Sequence, residues 1–162
     1  MSMICEVSAI PDTVALEVLS QPRRIRELLE SLDHAGKALS LEKSWHGLHF
    51  TLTGTAWEGN PPLDFIAAGG ETVGNEDVGY GPARVLRADK VHKLDAALSA
   101  ISPDVFDRKF DVSALNEAEI YPQIWDEPRE DLLEEYGGYF DELRKLVQKA
   151  AQNDQALIIT IR

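Results

Sequence analysis

The chain has 162 residues, 44% of them hydrophobic, and a formal net charge of −12 at pH 7. That length and apolar share suit one globular domain with a sizeable core, and no Pro/Gly/Ser-rich linker divides the chain. The acidity argues against nucleic acid and anionic membranes as partners, because affinity for phosphate comes mainly from Lys and Arg; it matches a basic protein, or simply keeps the protein soluble.

Ile4–Ile10 is apolar with an alternating tendency and reads as a short strand. It carries the single cysteine, Cys5. An internal disulfide is therefore impossible, and a buried, inert thiol is expected in a reducing compartment. Pro11-Asp12 ends the strand, and Asp12 is expected to cap a helix over Thr13–Leu19. Pro22 suits the first turn of a second helix to about Asp33, with Ile25, Leu28, Leu29 and Leu32 as its buried stripe and Gly36 as its stop. Ser40 is expected to cap a third segment, Leu41–Thr53. Leu41, Trp45, Leu48, His49 and Leu52 share a helical face there, and Gly54 ends it. Alternating Leu48, Phe50 and Leu52 also fit a strand, but the helical face is longer and signalled at both ends.

Ala56–Pro82 is rich in glycine and proline, with a short helix expected over Leu63–Ala68; loops this long are often functional. Ala83–Leu86 reads as a strand and Lys90–Ile101 as a helix turning Val91, Leu94 and Leu98 inward. Ser102-Pro103 caps another short helix. Between Asp111 and Glu142 stand eleven Asp/Glu and one Arg, Arg129. Pro128 opens a long helix to about Gln152, with a stripe of Leu132, Leu133, Tyr136, Phe140, Leu143, Val147 and Ala150. Gly137-Gly138 inside it is expected to mark a bend or a close backbone approach. Ala156–Ile161 is a β-branched strand expected at the centre of a sheet, beside Ile4–Ile10. The whole is a single α+β domain over 1–162, mostly helical, with a small sheet that includes the N-terminal and C-terminal strands.

No complete catalytic, metal or nucleotide motif is present. Gly69 and Gly74 have P-loop spacing, but Asn75-Glu76 follows where Lys-Ser/Thr is needed. His46 and His49, with Glu42 one turn earlier, could share a helix face toward a metal but want further ligands; a packed His49 and a solvent-facing His46 are expected instead. No metal and no cofactor are assigned. Two constellations remain. One is a ligand-binding set of Trp45, His49, Tyr80, Arg84, Glu119 and Tyr121. Glycines around Tyr80 can present it at a turn, Arg84 is a fixed cation, and Glu119 could act as a base or bind a cation. Alternatively Arg84 and Glu119 pair with each other and tie two loops together. The other is an acidic protein-binding face of Trp125, Asp126, Glu127, Glu130, Asp131, Glu134 and Glu135. Trp125 and Tyr136 are its expected anchors, unless the acids are a solvated helix face and Ile120, Tyr121 and Trp125 are core.

Several blocks carry a family likeness: the Met3-Ile4 start, Leu41-Glu42-Lys43-Ser44-Trp45-His46-Gly47-Leu48-His49-Phe50-Thr51-Leu52-Thr53-Gly54, Gly79-Tyr80-Gly81-Pro82-Ala83-Arg84, and Glu119-Ile120-Tyr121-Pro122. In these the chain resembles the YfbM-like family of bacterial proteins of unknown function, over nearly its whole length. The resemblance implies a compact bacterial α+β protein and transfers no site residue. The start shows no basic stretch followed by an apolar run, and no run approaches the ~20 residues that span a bilayer, so a cytoplasmic location is expected. The functional expectation is a non-enzymatic binding protein, one version being an immunity-type protein that offers its acidic face to a basic partner. The alternative is a small-molecule binder or enzyme built on the first constellation.

Overall fold

The computed structural model describes residues 2–162. Two segments remote in sequence lie side by side at the centre of its sheet. Strand β1 (Cys5–Pro11) pairs antiparallel with the C-terminal strand, β5 (Gln155–Ile161), in a register that sets Val7 opposite Ile159. Two-residue β2 (Leu39–Ser40) flanks β1 on one side. On the other side of β5 come β4 (Arg84–Leu86) and the two-residue edge β3 (Glu71–Thr72). The order is β2-β1-β5-β4-β3, antiparallel throughout. β5 takes the centre because it is apolar on both faces, so neither face can be left to water.

Side chains alternate across the sheet, and the two faces gather separate cores. Cys5, Val7, Leu86, Leu157 and Ile159 face a large layer. It is made by α3 (Trp45–Thr53), α4 (Ala88–Ser99), α5 (Pro103–Lys109), α6 (Val112–Glu117) and the long α7 (Arg129–Gln152). Ile10, Val85, Ala156 and Ile158 face a thinner layer, α1 (Asp12–Ser20) and α2 (Ile25–Ala35).

Helix ends follow local chemistry. Gly36 and Gly54 adopt left-handed φ of 63° and 78° and close α2 and α3, a conformation that costs other residues about 1 kcal/mol or more. Ser102 accepts from the Val105 N–H, and Asp111 from the Ala114 N–H, which starts the short α6 that hydrophobic periodicity had not marked.

Several expectations are corrected. Asp12 does not cap α1: its carboxylate reaches across to the Arg87 guanidinium and the Ala88 N–H, and so caps α4. Pro22–Arg24 is a 3-10 turn, with α2 starting at Ile25. The Leu63–Ala68 helix shrinks to turns, with Ala68 and Gly69 both donating to the Asp64 carbonyl. α7 runs unbroken through Gly137-Gly138, and a Cβ added at either would meet nothing within 4 Å, so no backbone approaches there. Among the described residues no helix is long and apolar enough to cross a membrane.

Candidate functional sites

α3 packs Trp45, His46 and His49 into the large core, all buried. The Trp45 indole N–H donates to the Met3 carbonyl at 3.0 Å. His46, expected toward solvent, is instead sandwiched between two indoles, with centroids 4.9 Å from Trp45 and 4.4 Å from Trp57. Its hydrogen bonds fix its tautomer. Nδ1 accepts from the Tyr121 N–H at 3.1 Å, leaving Nε2–H to donate to the Ala56 carbonyl at 2.8 Å. His49 Nε2 bonds the Glu58 carbonyl at 2.8 Å, while its buried Nδ1 has no hydrogen-bond partner among the described residues. Burial holds both imidazoles below their ordinary pKa, that of His49 at about 4, so both are neutral at pH 7. Neutral rings bonded to carbonyls pin the 56–58 loop onto α3.

The six residues of the first constellation do not form one pocket. Trp45 and Tyr121 are neighbours, with ring centroids 6.3 Å apart. Tyr80 is exposed and takes no part in that aromatic cluster; its backbone N–H donates to the Ile161 carbonyl. The Arg84–Glu119 pair is not formed. Arg84, buried on β4, donates through Nη1 to the Phe65 and Gly69 carbonyls at 2.7 and 2.6 Å, and through Nη2 to the Ile66 carbonyl at 2.5 Å. Its cation thus closes the C-terminal end of the 64–69 turn, where carbonyls point out and positive charge is favoured. Glu119, with φ of 53°, is exposed at the end of α6 and is in no ion pair among the described residues. Cys5 lies near this buried cation, and burial pushes its thiol up to about 12, so it is a protonated core residue at neutral pH.

On the acidic face, Asp126, Glu127, Glu130, Asp131, Glu134 and Glu135 are all exposed. Trp125 and Tyr136 are not available as anchors: both are buried, the rings 5.4 Å apart, with the Trp125 N–H donating to the Ile120 carbonyl. Glu130 and Asp131 occupy the first turn of α7, where negative charge offsets the helix dipole. Beside them lies a groove of about 370 Å³ between α5 and α7. Leu133, Gly137, Phe106 and Phe140 line it, the two phenyl rings stacked at 4.6 Å. Asp104, Asp107, Glu134 and Asp141 also line it, along with Arg144. Asp107 and Asp141 are paired with Arg129 and Lys145; Asp104 and Glu134 are in no ion pair among the described residues. Gly137 is the residue that sequence reasoning misplaced. Without a Cβ it leaves the groove open, and only knowledge of what packs beside α7 reveals that.

The family model described as a domain of unknown function, DUF1877, matches residues 1–160. The chain belongs to that family. Its fold is similar to the crystal structure of a protein of unknown function, YfbM, from Escherichia coli. The TM-score is 0.67 with 22% identity, over 98% of this chain and 99% of that one. At that identity the likeness speaks for the fold alone. No curated protein matches the sequence. The DUF1877 fold here therefore carries its functional clues in its own surface.

Proposed function

We propose that the protein is a non-enzymatic binding protein that receives a basic segment of a partner protein on the α5–α7 face, in the manner of a cytoplasmic immunity-type protein. The observation that carries this reading is the groove floored by Leu133, Gly137 and Phe140 and bordered by acids. An apolar strip between carboxylates suits an amphipathic segment that sets an apolar side chain into the groove and Lys or Arg on its rim. The aromatic anchors expected from sequence are replaced by this glycine-opened strip. The alternative small-molecule site around Trp45 and His49 has less support, since those side chains fill the core.

The test is capture from native lysate at low and high salt, with three variants beside the wild type. A specific basic partner released by salt is expected. Its capture should fail with Glu130→Lys/Glu134→Lys and with Gly137→Leu, which fills the groove, and persist with Glu71→Lys on the far edge strand. A partner retained by both groove variants would remove the α5–α7 face from consideration.

A further inference from the structure

A wider concavity, about 780 Å³, lies elsewhere, where the 61–70 loop meets the start of α4. Its volume falls in the range of ~300–1,000 Å³ usual for small-molecule sites. Asp64 lines it while being only 9% exposed. Among the described residues that carboxylate is in no ion pair and accepts no hydrogen bond from another residue's side chain. Its nearest buried cation, Arg84, is committed to three carbonyls.

The turn that carries Asp64 has little freedom to swing the carboxylate out to water. The Arg84 guanidinium fixes it from below. A Cβ on Gly69 would come within 2.8 Å of Asp64 Oδ1 and of Phe65 Cα, and one on Gly70, at φ of 88°, within 2.6 Å of the Val85 carbonyl. Gly69 thus lets the turn close tightly on itself, and Gly70 lets it pack against β4, as only glycines allow. Burial holds the Asp64 carboxyl above its ordinary range, despite a hydrogen bond from its own backbone N–H and the opposing influence of Arg84. A largely buried carboxylate with no cation and no side-chain donor beside it is costly, and a ligand that brings its own cation into the groove would offset that cost.

Lys90 and Lys93, exposed on α4, line the same groove and are in no ion pair among the described residues. Arg87 is tied to Asp12. Three acids, Asp64, Glu71 and Asp89, thus line the groove together with two free bases, Lys90 and Lys93, in a chain whose net charge is −12. Free charges of both signs in one groove favour a ligand carrying both charges over a simple cation or anion. Pro62, Ala68 and Leu86 give the groove apolar lining between them.

We propose that this groove binds a small zwitterion, its ammonium group on Asp64, its carboxylate toward Lys90 and Lys93, and its hydrocarbon along Pro62 and Leu86. The site is independent of the α5–α7 face. The experiment is an NMR titration of the isotope-labelled protein with glycine, γ-aminobutyrate and ε-aminocaproate, and with hexylamine and hexanoate as single-charge controls. One of the zwitterions is expected to shift the Asp64, Gly69 and Gly70 amides saturably and to bind at least tenfold more tightly than either control. Asp64→Asn should abolish its advantage over hexanoate, and Lys90→Ala/Lys93→Ala its advantage over hexylamine. Zwitterions no tighter than the controls, or variants that bind unchanged, would overturn the proposal. Should Asp64→Asn fail to fold, the exposed lysine variant decides alone.

Discussion

The two faces of the sheet are covered to different depths, and they satisfy their polar groups in different ways. In the α3–α7 layer, His46, His49 and Arg84 are buried and answered by backbone carbonyls. Around the α1–α2 layer the charges stay near the rim and pair with one another: Arg162 with Glu6 and Asp33, Arg24 with Glu17, and Arg26 with Glu76. A buried donor is costly to strand, whereas exposed ion pairs contribute about 0–1 kcal/mol each. Stability should therefore be concentrated on the thick side, and the thin side should open first.

The sharpest probe of that difference is Trp45→Ala. Trp45 is fully buried at the centre of the thick layer, so the loss should be about 3–5 kcal/mol on chemical denaturation; a loss under about 1 kcal/mol would remove the claim. Gly47→Ala comes next. Alanine in a helix interior ordinarily gains about 1 kcal/mol over glycine. Here its Cβ would stand 2.5 Å from Tyr136 Cε2 and 2.9 Å from Trp125 Cη2. The rings are packed and cannot yield, so a net loss of about 2–3 kcal/mol is expected in a urea melt.

The rings that confine Gly47 and His46 come from four separate aromatic residues, Trp125 and Tyr136 on the first and Trp45 and Trp57 on the second, and their meeting cannot be read from local sequence. The terminal strands, α3 with its Gly54 stop and the α7 stripe follow from periodicity and from caps, which are local. What stayed hidden depends on backbone acceptors. Charges advertise themselves in a sequence, so Arg84 invites a match with Glu119, whereas the carbonyls of Phe65, Ile66 and Gly69 advertise nothing. The same holds for His46, whose partners are the Ala56 carbonyl and the Tyr121 N–H and which sequence alone therefore points toward solvent. Of the candidate protein-binding residues the acids were placed correctly on the surface. Trp125, which the sequence offers both as an anchor and as core, is core, because an indole with an internal acceptor is content there.

Acid titration tests the thick layer as a whole. His49 has its folded pKa depressed to about 4 from an unfolded value near 6.5, and His46 is depressed in the same direction. Their neutral burial contributes fully above the unfolded pKa and is lost as pH falls from about 6.5 through 4, because the unfolded chain takes up the protons first. Urea melts at pH 7.5 and pH 4.5 should differ by roughly 2–3 kcal/mol. Asp12, held at about 2 by Arg87 and the Ala88 N–H, adds its loss only below about pH 4. A flat profile from pH 7 to 5 would contradict the buried neutral histidines.

Leu29→Ala on α2 should cost about 2 kcal/mol, the low end for a leucine, since the site lies at the edge of the thin layer. Hydrogen exchange should sharpen the same contrast, with α1 and α2 amides exchanging through a smaller opening free energy than those of α3 and α7. The smallest effect has the opposite sign. Gly138→Ala on the exposed side of α7 meets nothing within 4 Å and should raise stability by about 0.5–1 kcal/mol.

The pairing of β1 with β5 also governs when the fold can exist at all. Ile4 and Arg162 exchange backbone hydrogen bonds in both directions, at 2.9 Å each. The strand at the middle of the sheet follows all the other described strands and helices in the chain, and so leaves a ribosome after them. Until residues 155–161 emerge, β1 and β4 have no common neighbour, and the helices of both layers lack the surface on which they pack. Long-range closure of this kind slows folding. A nascent chain stopped after Asn153 should carry helices without a sheet and remain open to protease, gaining protection in one step once β5 is free to insert.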